Sequence, residues 1–325
     1  MLVIKTLKTL MLGSIAAAAL STAAFAQDMT LKLGHPANED NIWHKASEKF
    51  AEEVAALTDG RIAVEVFPNE TLGKEMDVIN GMQLGTADMT ITGESLQNWA
   101  PMAALLAIPY GYSSLEDRDE VAGGELGDQI EEQIIANVGI RPIAYFARGP
   151  RNLTSNRPIA SVEDLDGLKM RVPNVPLFLN VWQALGANPT PMAFSEVFTS
   201  LQNGTIDAQE NPLALIKSAN FNEVQDYVNK TQHVRSWIYL TISEMAWNQM
   251  SEEDQQAVME AASRAQEWER EQFLADEAEL QTQLEELGVE FVEVDNAAFA
   301  AAAKEAVLNS VAEEIRPQVE QLFAE

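Results

Sequence analysis

A chain of 325 residues, 46% of them hydrophobic, can bury a large core and is long enough for two domains of ordinary size, so neither a disordered tail nor a small disulfide-held scaffold fits it. Fifty acidic side chains against 21 basic ones give a formal charge of −29, which argues against nucleic acid or an anionic membrane surface as a partner. The chain has no cysteine, so its stability must come from the core.

Residues 1–26 stand apart. Lys5 and Lys8 form a basic start, "LMLGSIAAAAL" is a short apolar run, and Ala24-Phe25-Ala26 gives a small-residue cleavage pattern before Gln27. The apolar run is shorter than the roughly 20 residues of a spanning helix, so a cleavable signal peptide is expected. Its loss removes two lysines and no acid, taking the charge from −29 to −31. The mature chain is therefore expected to work outside the cytoplasm.

"MTLKLGH" reads as a strand, and "NIWHKASEKFAEEVAALTDG" as a helix that places Trp43, Ala46, Phe50, Val54 and Leu57 on one face and stops at Gly60. "RIAVEVFP" alternates as a strand, "EMDVINGMQLG" is helical and "ADMTITG" is a third strand. This β-α-β-α-β order implies an open sheet with helices on its faces. The order resumes through "IRPIAYF", "LKMRVP", a helix near "PLFLNVWQALG", then "TIDAQENP" and "RSWIYLTISEMAW". Ser251, with Asp254 three residues on, caps a helix whose stripe runs from Val258 to Leu287, roughly 55 Å long at 1.5 Å per residue. A helix of that length would span two domains; a break near Leu274 into two packed helices is the alternative. The sequence has neither a linker nor a repeat, so two domains must share strands. The expected fold is α/β, with residues 27–148 and 237–276 in one domain and residues 149–236 and 277–325 in the other.

The scarce positive charge is concentrated in "RGPRNLTSNRPIASVEDLDGLKMRVPN", which carries Arg148, Arg151, Arg157, Lys169 and Arg171. Ligands of open α/β sheets bind beyond the carboxyl ends of the strands. His35 follows "LKLG", Glu94 follows "MTITG", Arg148 and Arg151 follow "IAYFA", Arg171 closes "LKMR", and Asn211 closes "IDAQE" before Pro212. Arginine holds a carboxylate with two parallel charge-assisted hydrogen bonds, and in so acidic a chain an anion can be recognised only where positive charge is gathered. Pairing with surface acids such as Glu163 or Asp164 is the alternative use of these arginines, and it suits Arg148, Arg157 and Lys169 better than Arg151 and Arg171.

The blocks "RNLTSNRPI", "GLKMRVPN", "ALGANPTPMAFSEVFTSLQNGTIDAQENPL" and "FNEVQDYV" resemble the signatures of the solute-binding proteins of tripartite ATP-independent periplasmic (TRAP) transporters. The resemblance runs from "LKLGHP" to the long helix. It implies a two-domain clamshell that closes on an organic acid, with strands crossing the hinge and a long helix spanning both domains. It also implies that Arg171 clamps the ligand carboxylate, Arg151 assists, Asn211 completes the site, Asn174 and Phe194 border it, and Glu94 reads hydroxyl or amino groups. His35 departs from the small polar residues of some relatives. Asn98, Arg148 and Gln209 are further candidate hydroxyl readers, which favours a sugar acid such as a uronate or aldonate over a C4-dicarboxylate, sialic acid or ectoine.

His44 and His233 lack the spacing a transition metal favours, and no metal or cofactor is expected. A secreted enzyme using Glu94 or His35 in acid-base roles is the rival reading, but the chain has no G-x-S-x-G, no H-E-x-x-H and no cysteine nucleophile. A sensor subunit would carry the same fold and site. The expectation is a monomeric periplasmic binding protein that delivers its ligand to TRAP membrane subunits.

Overall fold

The computed structural model describes residues 28–324. The expected signal peptide lies outside the described residues. Strand β1 (Met29–Gly34) pairs in parallel with β2 (Ile62–Phe67) and β3 (Met89–Thr92), and helices α1 (Ile42–Leu57) and α2 (Glu75–Leu84) make the crossovers. Asn41 caps α1 by accepting a hydrogen bond from Trp43 N at 3.0 Å. After two short 3₁₀ segments, Glu94–Asn98 and Pro101–Ala107, come α3 (Leu115–Ala122), α4 (Glu125–Val138) and β4 (Ile140–Phe146).

The chain then enters a second sheet. It contains β5 (Arg151–Ser155), β6 (Lys169–Val172), α5 (Pro176–Ala184), β7 (Asn188–Pro191), α6 (Val197–Gln202), β8 (Ala208–Pro212), α7 (Leu213–Ser218) and β9 (Tyr227–Val234). It returns to the first sheet with β10 (Ile238–Ser243) and α8 (Glu244–Trp247), and passes back along α9 (Glu252–Glu286) to β11 (Glu290–Val292), α10 (Asn296–Ser310) and α11 (Arg316–Leu322). The sheet orders are β2-β1-β3-β10-β4 and β11-β9-β5-β8-β6-β7.

Each sheet buries both faces. On the first, Leu31 and Leu33 pack with Phe50 of α1 and Val258 and Ala262 of α9, and the other face meets Ile79, Leu105 and Ile134. On the second, Phe178 and Trp182 of α5 meet Phe299 of α10, and Val228 meets Leu201, Ile216 and Leu284. Removing these side chains from water, at about 25 cal/mol per Å² of apolar area, is what holds a chain without disulfides.

Helix α9 is unbroken over 35 residues, about 52 Å at 1.5 Å per residue, and Leu274 lies within it on an exposed face. Ser251 caps it, accepting from Asp254 N at 3.1 Å. Its first half packs on the first sheet and its last turns on the second, where Lys217 of α7 donates to Gln283 at 2.5 Å. The chain therefore passes between the sheets at Ala147–Pro150, at Arg235–Trp237 and along α9. In the first two places a strand of one sheet gives way within a few residues to a strand of the other. The sequence pattern runs β10 on into "EMAW", but Ser243 starts a helix there, its hydroxyl accepting from Ala246 N at 3.1 Å.

Two features fix the crossing segments. Arg118 of α3, buried and without a carboxylate partner among the described residues, donates through one Nη1 to the carbonyls of Arg148 (3.0 Å) and Ser236. From the other side, Glu269 of α9 accepts from Ala147 N at 3.0 Å. Glu277 packs so closely on Gly149 that a Cβ there would overlap its carboxylate. No helix among the described residues is long and apolar enough to cross a membrane.

Candidate functional site

Strand direction brings the charged residues to one place. His35 and Glu94 follow the ends of β1 and β3, and antiparallel β10 begins at the same edge, with Tyr239 opposite Thr92 and Ile238 opposite Phe146. In the second sheet Arg151 sits opposite Pro212 and Val234, and β6 runs parallel to β8, so Arg151, Arg171 and Asn211 share an edge. The two edges face each other across the crossing segments.

Between them lies a buried ionic chain. Glu94 receives Arg148 Nη2 on one oxygen and Arg151 Nη1, at 3.3 Å, on the other. Arg151 places its fork on Glu210, at 2.7 Å from Nη2 and 2.5 Å from Nε, and rests over the Phe178 ring. Glu210 also meets His233 Nε2 at 2.9 Å, and Thr231 engages the other ring nitrogen at 2.9 Å. Burial alone would raise both carboxyls, but Arg151 and His233 hold Glu210 down at about 2, and Arg148 and Arg151 hold Glu94 below the usual range. Burial pulls His233 below its ordinary value against the pull of Glu210, which favours neutral imidazole.

Arg171 is placed differently. Its Nε donates to the Met192 carbonyl at 2.9 Å and its guanidinium lies 5.9 Å from the centre of the Phe194 ring, but among the described residues it has no ion-pair partner. Burial lowers it to about 10, still fully charged at neutral pH. It opens onto a cavity of about 300 Å³ lined in part by Glu70, Glu75, Asn174, Met192 and Phe194. In the site as a whole, Arg148, Arg151 and Arg171 face Glu94 and Glu210. Arg148 and Arg151 are paired with these two glutamates, and Arg171 alone of the three has no ion pair among the described residues.

The remaining candidates fall at different depths. Asn98 and Asn174 are exposed at the rim, where Asn98 Nδ2 donates to the Asn174 carbonyl at 2.9 Å. Asn211 is buried and donates to Gln209 at 2.6 Å; Gln209, one step further in, donates to Thr154 at 3.0 Å. His35 is buried with Nε2 at 3.2 Å from His44 Nδ1. Arg157 and Lys169 are peripheral: the first donates to the Asp164 carbonyl, and the second lies 3.9 Å from Asp207. Arg148, expected to pair on the surface, is instead buried against Glu94.

Four contributors were not read from the sequence. Glu210 stands inside a strand, and an acid amid buried positions is costly enough to signal a partner. Glu75, at the start of α2, accepts from Thr92 at 2.7 Å and Ser95 at 3.0 Å, and burial beside Glu94 and Glu70 raises its carboxyl. Lys74, 2.6 Å from Glu196, belongs with Glu70, which accepts from Ser195 N at 3.0 Å; these contacts join the two halves across the cleft. Neither of these last two carries a signal in strand periodicity.

Residues 33–314 match the family model described as bacterial extracellular solute-binding protein, family 7. A solute-binding protein of Roseobacter denitrificans is 73% identical over 309 residues, 95% of each chain. The solved structure of a TRAP periplasmic solute-binding protein from that organism, with bound L-galactonate, is 73% identical with a TM-score of 0.90, covering 91% of this chain and 99% of that one. A TRAP periplasmic solute-binding protein of Xanthobacter autotrophicus with bound β-D-galacturonate is 28% identical with a TM-score of 0.86, over 90% of this chain and 99% of its own. The 2,3-diketo-L-gulonate-binding periplasmic protein of Escherichia coli is 32% identical over 285 residues, 87% of this chain and 86% of the relative.

Proposed function

Since the chain belongs to family 7 of the bacterial extracellular solute-binding proteins, the periplasmic binding proteins of TRAP transporters, we infer that its ligand is a sugar acid of the aldonate or uronate type. The observation that carries this reading is Arg171 itself, a buried guanidinium that borders a cavity and has no ion pair among the described residues, while its neighbours Arg148 and Arg151 are taken up by Glu94 and Glu210. A ligand carboxylate supplies the missing negative charge, and a bidentate pair with Arg171 holds it. Arg151, locked by Glu210, acts by fixing Glu94 and the edge of β5. Glu75 and Glu94, Asn174, Asn211 and the Phe194 ring are the groups we assign to the polyol part of the ligand, with Asn98, Arg148 and Gln209 supporting them. The ligands held by relatives, L-galactonate at 73% identity and β-D-galacturonate at 28%, support the same class.

In this reading one domain comprises residues 27–148 and 237–276, and the other residues 149–236 and 277–325. They close on the ligand about the crossing segments. Residues 1–26 direct export, the mature protein works as a monomer, and it hands its ligand unchanged to the TRAP membrane subunits. Mass spectrometry of the ligand released on denaturing the purified protein, followed by calorimetry with L-galactonate, D-galacturonate and succinate, tests it. A sugar acid should be recovered and should bind more tightly than succinate; the reverse order would replace this assignment by a dicarboxylate.

A further inference from the structure

Helix α9 follows the chain out of the first sheet. β4 is an edge strand of that sheet, and α9 takes up amides on its free side: Tyr145 N donates to Gln266 at 2.8 Å and Ala147 N, just past the strand, to Glu269 at 3.0 Å. Just over two turns on, Glu277 packs against Gly149. The contacts of Glu269 and Glu277 therefore fall on the crossing segment Ala147–Pro150, and that of Gln266 on the strand before it. An amide suffices as acceptor at Tyr145, so the acid at Ala147 adds one property, the ability to ionise.

Glu269 is 1% exposed, and the oxygen that does not accept from Ala147 has no hydrogen-bond partner among the described residues. The charged groups around it are turned elsewhere. Arg270, beside it on α9, is committed to Asp119 of α3 at 3.1 Å; Arg118 of α3 turns its Nη1 to the Arg148 and Ser236 carbonyls; Arg148, on the crossing segment, is held by Glu94. Tyr145 of β4 is pushed above its ordinary value and stays uncharged, and Glu277 is a second acid, raised by burial to about 7. Burial outweighs the pull of Arg270 and Arg118 and raises the Glu269 carboxyl to about 8, so with the two halves in contact it is neutral at pH 7.

We propose that Glu269 is a proton-linked switch in the hinge: its carboxyl holds a proton while the crossing segment lies on α9 and gives it up to solvent as opening lifts that segment away. This rests on the closing of the two halves read above, and not on which acid is bound. Opening admits water and lets the carboxyl fall toward its ordinary 4.5, so the shut form binds more protons than the open one. Linkage fixes the sign: the contribution to shutting is complete below about pH 4.5 and is lost as pH rises through about 8. The solute is held more firmly in mildly acid surroundings and released more readily in alkaline ones.

The test uses the full mature protein with L-galactonate as the probe. Because the chain has no cysteine, Asn80→Cys on α2 and Thr199→Cys on α6, exposed positions on helices that start at Lys74 and Glu196 where the halves meet, accept spin labels that report closing. Calorimetry at pH 7 in buffers of different ionisation enthalpy counts the protons taken up on binding. The wild type should take up most of one proton more than Glu269→Gln, which keeps an acceptor for Ala147 N. From about pH 6 to about pH 8.5 the affinity should fall by about ten- to hundredfold more in the wild type than in the variant. Glu75 and Glu277 are raised in both proteins, so the difference reports Glu269. Absence of proton uptake by the wild type overturns the proposal without any variant. Equal uptake in the two proteins, with the labels drawn together, overturns it and leaves the closing of the halves standing. Labels that stay apart at saturation overturn that closing, and this proposal with it.

Discussion

A buried guanidinium that borders a cavity and has no ion pair among the described residues gains from an anion there, which makes Arg171 sensitive to the presence of one. Replacing it by Ala should cost about 3–5 kcal/mol of sugar-acid binding, or about two to four decades in affinity, because the ligand carboxylate then has no counter-charge. Lys should restore only part of this, since a point charge cannot reproduce the fork. Calorimetry on the two variants checks both statements, and unchanged affinity in Arg171→Ala would remove the residue from the site. Arg171, His35, Glu94 and Asn211 were legible from sequence because strand ends are marked by prolines, by glycines and by the end of an alternating run. Their partners were not. Glu210 lies 59 residues from Arg151 and Glu94 lies 54 from Arg148, and pairing at such separations is decided by sheet order, which one sequence does not display.

Helix α9 carries two acids where a helix of this length would ordinarily carry apolar residues. Burial raises Glu269 to about 8 and Glu277 to about 7, with one oxygen of each lacking a partner. A carboxyl raised on folding from its ordinary value of 4.5 contributes stability that is complete below about pH 4.5 and is lost as pH rises through the folded value. Denaturant midpoints of the wild type should therefore fall between about pH 5 and pH 8 relative to those of Glu269→Gln, which keeps an acceptor for Ala147 N and cannot ionise. A pH series of urea melts measures it, and parallel curves would mean that Glu269 ionises freely. The helix itself was legible from its stripe and its Ser251 cap. Strands β5 and β9 were not, because their buried positions are polar: Asn152, Thr154, Asn229 and Thr231 bond to the backbone and to Gln225, Ser155 and His233, and no apolar alternation announces them.

At the scale of the whole molecule, contacts from both halves favour the closed form by differential affinity. Small-angle scattering should give a smaller radius of gyration with L-galactonate than without it; equal radii at confirmed saturation would contradict hinge closure. Hinge opening would have to loosen the Lys74–Glu196 and Glu70–Ser195 contacts. The path of the chain has a further consequence, for the order in which the protein can assemble. β10 is an interior strand of the first sheet, between β3 and β4, yet it follows every strand of the second sheet except β11. A chain that emerges amino end first cannot finish the first sheet before residue 243 or the second before residue 292, so neither half is an autonomous early folding unit. Chains of this size commonly melt in stages, but here the chain leaves each sheet unfinished before it enters the other, and calorimetry of the unliganded protein should record a single transition with equal calorimetric and van't Hoff enthalpies. Two resolved transitions would show that a half-built sheet can stand alone.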